Sequence, residues 1–125
     1  MLPPEFRRIR LHLAREPGHP EGDRNIGYEL VAPLDSDGRL LPELWKKHRK
    51  ECRVRRFHEG EDDRNGGLAR RPGGKWYFDY DPDRREDDES GHRLSEERFI
   101  LGEYVSIQDE HQRMHTYRIV SVQDL

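Results

Sequence analysis

The sequence predicts a mainly β domain, a small antiparallel barrel or strongly curved sheet of six or seven strands with one short helix. Three observations carry this prediction. Apolar residues fall in short runs that alternate with polar ones, the period of a half-buried strand. Those runs are bounded by Gly, Pro and Asp, the residues of tight turns. Only one stretch, residues 42–50, shows the three- and four-residue spacing of a helix.

The elements follow in order. Ile9, Leu11 and Leu13 alternate with polar neighbours as a first strand. Pro17, Gly18, Pro20 and Gly22 then enforce a loop. A second strand runs from Gly27 to Leu34 with Tyr28, Leu30 and Ala32 on one face, and Pro33 with the turn Asp35-Ser-Asp-Gly38 stops it. Over residues 42–50, Pro42 suits the first helical position, and Leu41, Leu44, Trp45 and His48 recur at helical spacing. So short a helix must be held on the sheet by Leu44 and Trp45, leaving Lys46, Lys47, Arg49 and Lys50 wet. Cys52 to Phe57 is the next strand, with Cys52 and Val54 inward and Arg53 and Arg55 outward.

His58 to Gly67 reads as a charged loop. Leu68 to Tyr80 reads as a hairpin turning at Gly73-Gly74, where adjacent glycines supply positive φ. The acidic run 81–90 has almost no apolar residue and reads as a mobile loop. Gly102 to Asp109 and Met114 to Val122 form a second hairpin. In its last strand the consecutive Ile119 and Val120 break the alternation, which a bulge or burial on both faces explains.

At 125 residues the chain reads as one domain. Cys52 is the only cysteine, so an intrachain disulfide and a thiolate-rich zinc site are both excluded, and a reducing compartment, the cytoplasm, fits best. The N-terminal residues lack an apolar signal core, and no apolar stretch approaches bilayer length, so neither a secretory leader nor a membrane span is expected. The formal net charge of −3 hides two opposed blocks. Glu43 to Arg56 holds seven cations against two acids, and Asp79 to Glu89 holds seven acids against two cations. Such bipolarity serves either internal pairing or a docking surface.

The C-terminal stretch Gly102-Glu-Tyr-Val-Ser-Ile-Gln-Asp-Glu, followed by His115-Thr-Tyr-Arg-Ile-Val-Ser-Val, resembles the signature end of a family of short bacterial proteins of unknown function. Gly27-Tyr-Glu-Leu-Val-Ala-Pro-Leu-Asp-Ser-Asp-Gly38 and Cys52-Arg-Val-Arg-Arg-Phe57 fit the same family. The resemblance covers most of the chain and implies no catalytic residues. The segment from Gly102 to Ile107 is also similar, more weakly, to strands of SH3-like barrels.

Candidate sites divide by chemistry. His58, Glu59, Glu61, Asp62 and Asp63 place an imidazole beside carboxylates, as oxygen-rich cation loops do. The Asp-x-Asp-x-Asp-Gly register is missing, however, and Arg64 competes for the carboxylates. His111 and His115 are four apart, a zinc spacing on a helix, but here they straddle a hairpin. No metal or cofactor is expected. Ser95, Ser106, Ser121 and Cys52 stand in no nucleophile motif, and Gly66-Gly67 and Gly73-Gly74 read as hairpin glycines rather than a phosphate loop. No catalytic signature results.

Arg53, Arg55, Arg70 and Arg71 are the candidate binding residues, placed outward on neighbouring strands beside Trp76, Phe78 and Tyr80. A basic sheet with exposed aromatics stacks bases. Yet a 31% hydrophobic chain needs those three rings in its core, where each is worth about 1.5 to 3 kcal/mol, and an acidic net charge opposes phosphate. The expectation is therefore a non-enzymatic β domain that binds a protein partner or a small ligand through its charged surface. RNA or single-stranded DNA binding through the same arginines is the alternative, and an enzyme of unrecognised type the third reading. Ligand, partner and oligomeric state are not written in these residues.

Overall fold

A computed structural model of the chain describes residues 2–71, 75–80, 92–94, 98–109 and 111–125. Eight strands follow one another around a closed antiparallel barrel: β1 Phe6–Leu13, β2 Asp23–Pro33, β3 Arg53–His58, β4 Glu61–Arg70, β5 Trp76–Asp79, β6 His92–Leu94, β7 Tyr104–Gln108 and β8 Met114–Asp124. The first strand pairs with β2 on one side and with β8 on the other, which closes the ring. The mainly β class is the one predicted from alternation, with eight strands in place of six or seven.

Alternation fills the interior. Ile9, Leu11, Leu30, Val54, Leu68, Phe78, Val105, Ile107 and Ile119 are each at most 3% exposed, and burying such a side chain is worth about 1.5 to 3 kcal/mol. Trp76 and Tyr80, at 2% and 7% exposure, belong to the same core. The break at Ile119-Val120 is a bulge: Arg10 opposes Ser121 while Leu11 opposes Ile119, so Val120 is the extra residue.

One end of the barrel is covered by the excursion between β2 and β3. It carries the helix α1 Pro42–Lys47, with Pro42 in its first turn, and a 3-10 turn at Arg49–Glu51. A single helix to Lys50 does not form, because His48 leaves helical geometry (φ −127°, ψ 38°) and turns its ring edge-on to Phe6 at 5.5 Å. Trp45 is buried, donates its Nε1–H to the Leu68 carbonyl at 2.8 Å and meets Trp76 edge-to-face at 5.2 Å. Leu44 packs partly buried beside the core, and Lys46, Lys47, Arg49 and Lys50 are exposed. Cys52 is fully buried, and burial pushes its thiol up to about 12.

The charged stretch from His58 to Gly67 is not a loop. His58 opposes Glu61 around the two-residue turn Glu59-Gly60, where Gly60 supplies φ +81°, and the rest is β4. Pairing with β3 overrides the poor strand propensity of its Asp and Asn residues, and β5 pairs with β4 only from Gly67 onward. Nor is Gly66 a turn glycine. A Cβ there would lie 2.1 Å from the Asp79 carbonyl oxygen, so its absence lets the β5 backbone approach. The turn containing Gly73-Gly74 and the acidic run 81–90 lie outside the described residues. Among the described residues, no helix is long and apolar enough to cross a membrane.

Candidate functional site

The barrel end opposite α1 is polar. Here β1 and β3 finish, β2, β4 and β8 begin, and alternation continues to aim side chains inward although the residues are no longer aliphatic. Tyr28 stands over Tyr117 with ring centroids 5.0 Å apart and over Phe78 at 5.1 Å, and Phe78 meets Tyr80 at 6.4 Å. The hydroxyls of Tyr80 and Tyr117 both hydrogen-bond with that of Tyr28. Burial raises all three phenols well above their ordinary range and outweighs the nearby Arg56 charge, so they remain neutral.

Above the phenols His115 is clamped. Its Nδ1 lies 2.9 Å from Glu16 Oε2 and its Nε2 lies 3.0 Å from Asp109 Oδ2. A neutral imidazole has one donor, so only the imidazolium satisfies both carboxylates. Burial lowers the pKa of His115, but the hydrogen bonds to Glu16 and Asp109, with their charges, prevail and hold it above the ordinary histidine value. Asp109 is itself oriented by the backbone: its Oδ1 accepts from the N–H groups of His111 and Arg113, both at 2.9 Å. Burial raises the Asp109 pKa, but these N–H groups and His115 together lower it overall.

Arg56 is the remaining charge. It faces Tyr28 and Arg64 in the strand register, at an inward position of β3. Among the described residues it has no carboxylate partner, since Glu16 and Asp109 are turned onto His115. Arg56, Glu16, His19, His58, His115 and Tyr117 line a recess of about 110 Å³. That is less than the roughly 150 Å³ cavity that admits a benzene ring. It suits the charged head of a small ligand rather than a large apolar body.

The four arginines singled out from the sequence are not assembled. Arg53 and Arg55 lie outward on β3, where Arg55 reaches Asp63 at 3.0 Å and Glu29 at 3.7 Å. Arg70 opposes Trp76 in the register and lies 5.3 Å over its ring, whereas Arg71 lies 4.9 Å over Tyr77. Arg55 pairs with Asn65, so Arg71 stands six residues further on, about 20 Å along the strand. Trp76, Phe78 and Tyr80 line the interior and offer no platform to bases.

In the sequence His115 stands out only for its spacing from His111, and Arg56 only as one cation of the basic block, although both carry a further readable signal. Each is a polar residue at an inward position of an alternating strand, in step with Cys52 and Val54 or with Tyr117 and Ile119. Glu16 and Asp109 come from loops, and nothing local marks them. His58 sits 2.9 Å from Glu61 at the rim. Among the described residues, no group of three or more His, Cys, Asp and Glu side chains is placed to hold a metal ion.

Together these features define a class, a small closed antiparallel barrel plugged by a helix at one end and recessed and polar at the other. No protein-family model, curated protein or solved structure matches the chain.

Proposed function

We propose that this protein is a non-enzymatic binding barrel whose polar end takes the anionic group of a small ligand, with Arg56 as the receiving cation. The observation that carries the reading is an inward, half-buried guanidinium without a carboxylate partner among the described residues, set in a small recess. A planar guanidinium fits a carboxylate or phosphate with two parallel hydrogen bonds. At 4 Å such a pair is worth about 4 kcal/mol at an effective dielectric near 20, against about 1 in bulk water. The His115 clamp occupies the two nearby carboxylates, which limits their repulsion of an incoming anion.

The same geometry favours binding over catalysis. Both ring nitrogens of His115 are engaged, Ser106 shares its hydroxyl contact with Thr116 at 3.3 Å, and Cys52 is buried with a raised pKa. A nucleophile with an adjacent free base is what catalysis of that type requires.

The test is an NMR titration of the protein with a panel of small carboxylates and phosphates, followed at the side chains of Arg56, His115 and Tyr117. At least one compound is expected to give saturable shifts there, and Arg56→Gln should weaken it at least about tenfold, the loss of one charge-assisted contact. Unchanged affinity in Arg56→Gln removes the reading.

A further inference from the structure

A second surface lies outside the barrel, on the opposite side of the sheet from the recess. In the strand register Tyr104 of β7 faces Arg118 of β8, which faces His12 of β1. These side chains therefore form one rung, with neighbouring strands about 4.8 Å apart. Together with Arg24, Thr116 and the bulged Val120 they line a groove of about 660 Å³, within the roughly 300 to 1,000 Å³ typical of binding clefts.

Tyr104 is 57% exposed, the largest ring that this side of the sheet leaves in water. Arg24 and Arg118 are also exposed, and neither has a carboxylate partner among the described residues. Arg10 and Arg24 bring positive charge up to His12. His12 accepts a hydrogen bond from Arg10 Nε at 2.9 Å, which requires an unprotonated Nε2, and burial together with the charges of Arg10 and Arg24 lowers its pKa.

We propose that this groove docks an extended acidic segment of a protein partner, with Tyr104 as the apolar anchor and Arg24 and Arg118 as the carboxylate receivers. Charge complementarity selects the acidic occupant, since guanidiniums that make no ion pair among the described residues stand beside an exposed tyrosine, and Arg and Tyr are the residue types enriched at protein interfaces. A peptide fits better than a nucleic acid. Glu21 and Asp23 also line the groove. Their carboxylates can accept the backbone N–H groups of a peptide, donors that a phosphodiester backbone lacks. A lone tyrosine also gives successive bases nothing further to stack on.

Amide shifts of the whole protein, recorded while poly-L-glutamate and then a uridine oligonucleotide are added at low salt, provide the test. Poly-L-glutamate is expected to shift Tyr104, Thr116 and Arg118, to lose affinity as salt rises, and to bind about tenfold more weakly to the Arg24→Gln/Arg118→Gln double variant. Arg56→Gln should bind it as the unaltered protein does, which separates this surface from the recess. Shifts scattered over the molecule, equal binding by the double variant, or tighter binding of the oligonucleotide would each overturn the proposal. Both arginines are exposed, and an unchanged melting temperature of the double variant confirms that lost binding is not lost folding.

Discussion

At one end of the barrel Trp45 meets Trp76 edge-on and His48 meets Phe6 edge-on, and at the other three tyrosines, a clamped histidine and an arginine stand where aliphatic residues would otherwise continue. Both ends use the same strands and the same inward alternation, and differ in what finishes the core. The helical end is finished by ring packing, which is non-directional and tolerates no gap. The polar end is finished by directed hydrogen bonds, each needing its partner, and it leaves one guanidinium over. The end closed with polar groups is the one that the proposed ligand would enter.

The largest expected effect is at the helical end. Trp45→Ala removes a buried indole, its contact with Trp76 and its hydrogen bond to Leu68, and should cost about 3 to 5 kcal/mol in denaturant melts. A loss below about 1 kcal/mol would erase the distinction between the two ends. At the polar end Tyr28→Phe keeps the ring but strips the shared partner of Tyr80 and Tyr117, with an expected loss of about 1 to 2 kcal/mol by the same measurement.

The His115 clamp is smaller and reads out through pH. Its folded-state pKa is raised, so its contribution is complete below about 6.5, the unfolded value, and fades as pH rises through the raised pKa. Asp109 has a depressed folded-state pKa, so its contribution is present above about 3.9 and fades as pH falls through the folded value. The clamp is therefore strongest between about pH 4 and 6.5. His115→Gln should flatten the fall in melting temperature above that window, and an identical slope in the variant would show that the clamp adds nothing. Smallest of all, Arg56→Gln should change stability by no more than about 0.5 kcal/mol, because no ion pair among the described residues is lost. A larger loss would mean that Arg56 holds the barrel together rather than serving a ligand.

Much of the fold could be read locally. Alternation placed Ile9, Leu11 and Leu13, Tyr28 to Ala32, and the final hairpin with its bulge, because in those strands side-chain period and burial agree. Strand β4 was hidden because Asp62, Asp63 and Asn65 carry no strand propensity of their own and owe their conformation to β3 beside them. The site was hidden for a related reason. Glu16 and Asp109 reach His115 from loops 93 positions apart in the chain, a juxtaposition that only barrel closure creates. The four arginines do not share one outward face because Arg70 alternates inward onto Trp76, a consequence of where the β4–β5 register falls.

The closing pair of the ring joins β1 to β8, and there Arg7 opposes Asp124 with their side chains 3.2 Å apart. Strands this distant in sequence meet only after the intervening hairpins have formed, because a long loop must be closed before any contact across the seam repays it. Folding should thus proceed as a curling meander, with β1 and β8 zipped last, over the milliseconds to seconds usual for all-β chains of non-local pairing. The same neighbourhood makes the ring indifferent to where its chain is cut. A short linker from Leu125 back to Glu5, which keeps the buried Phe6, with new termini opened in the exposed Glu59-Gly60 turn, should give a circular permutant with the same barrel and a different order of assembly.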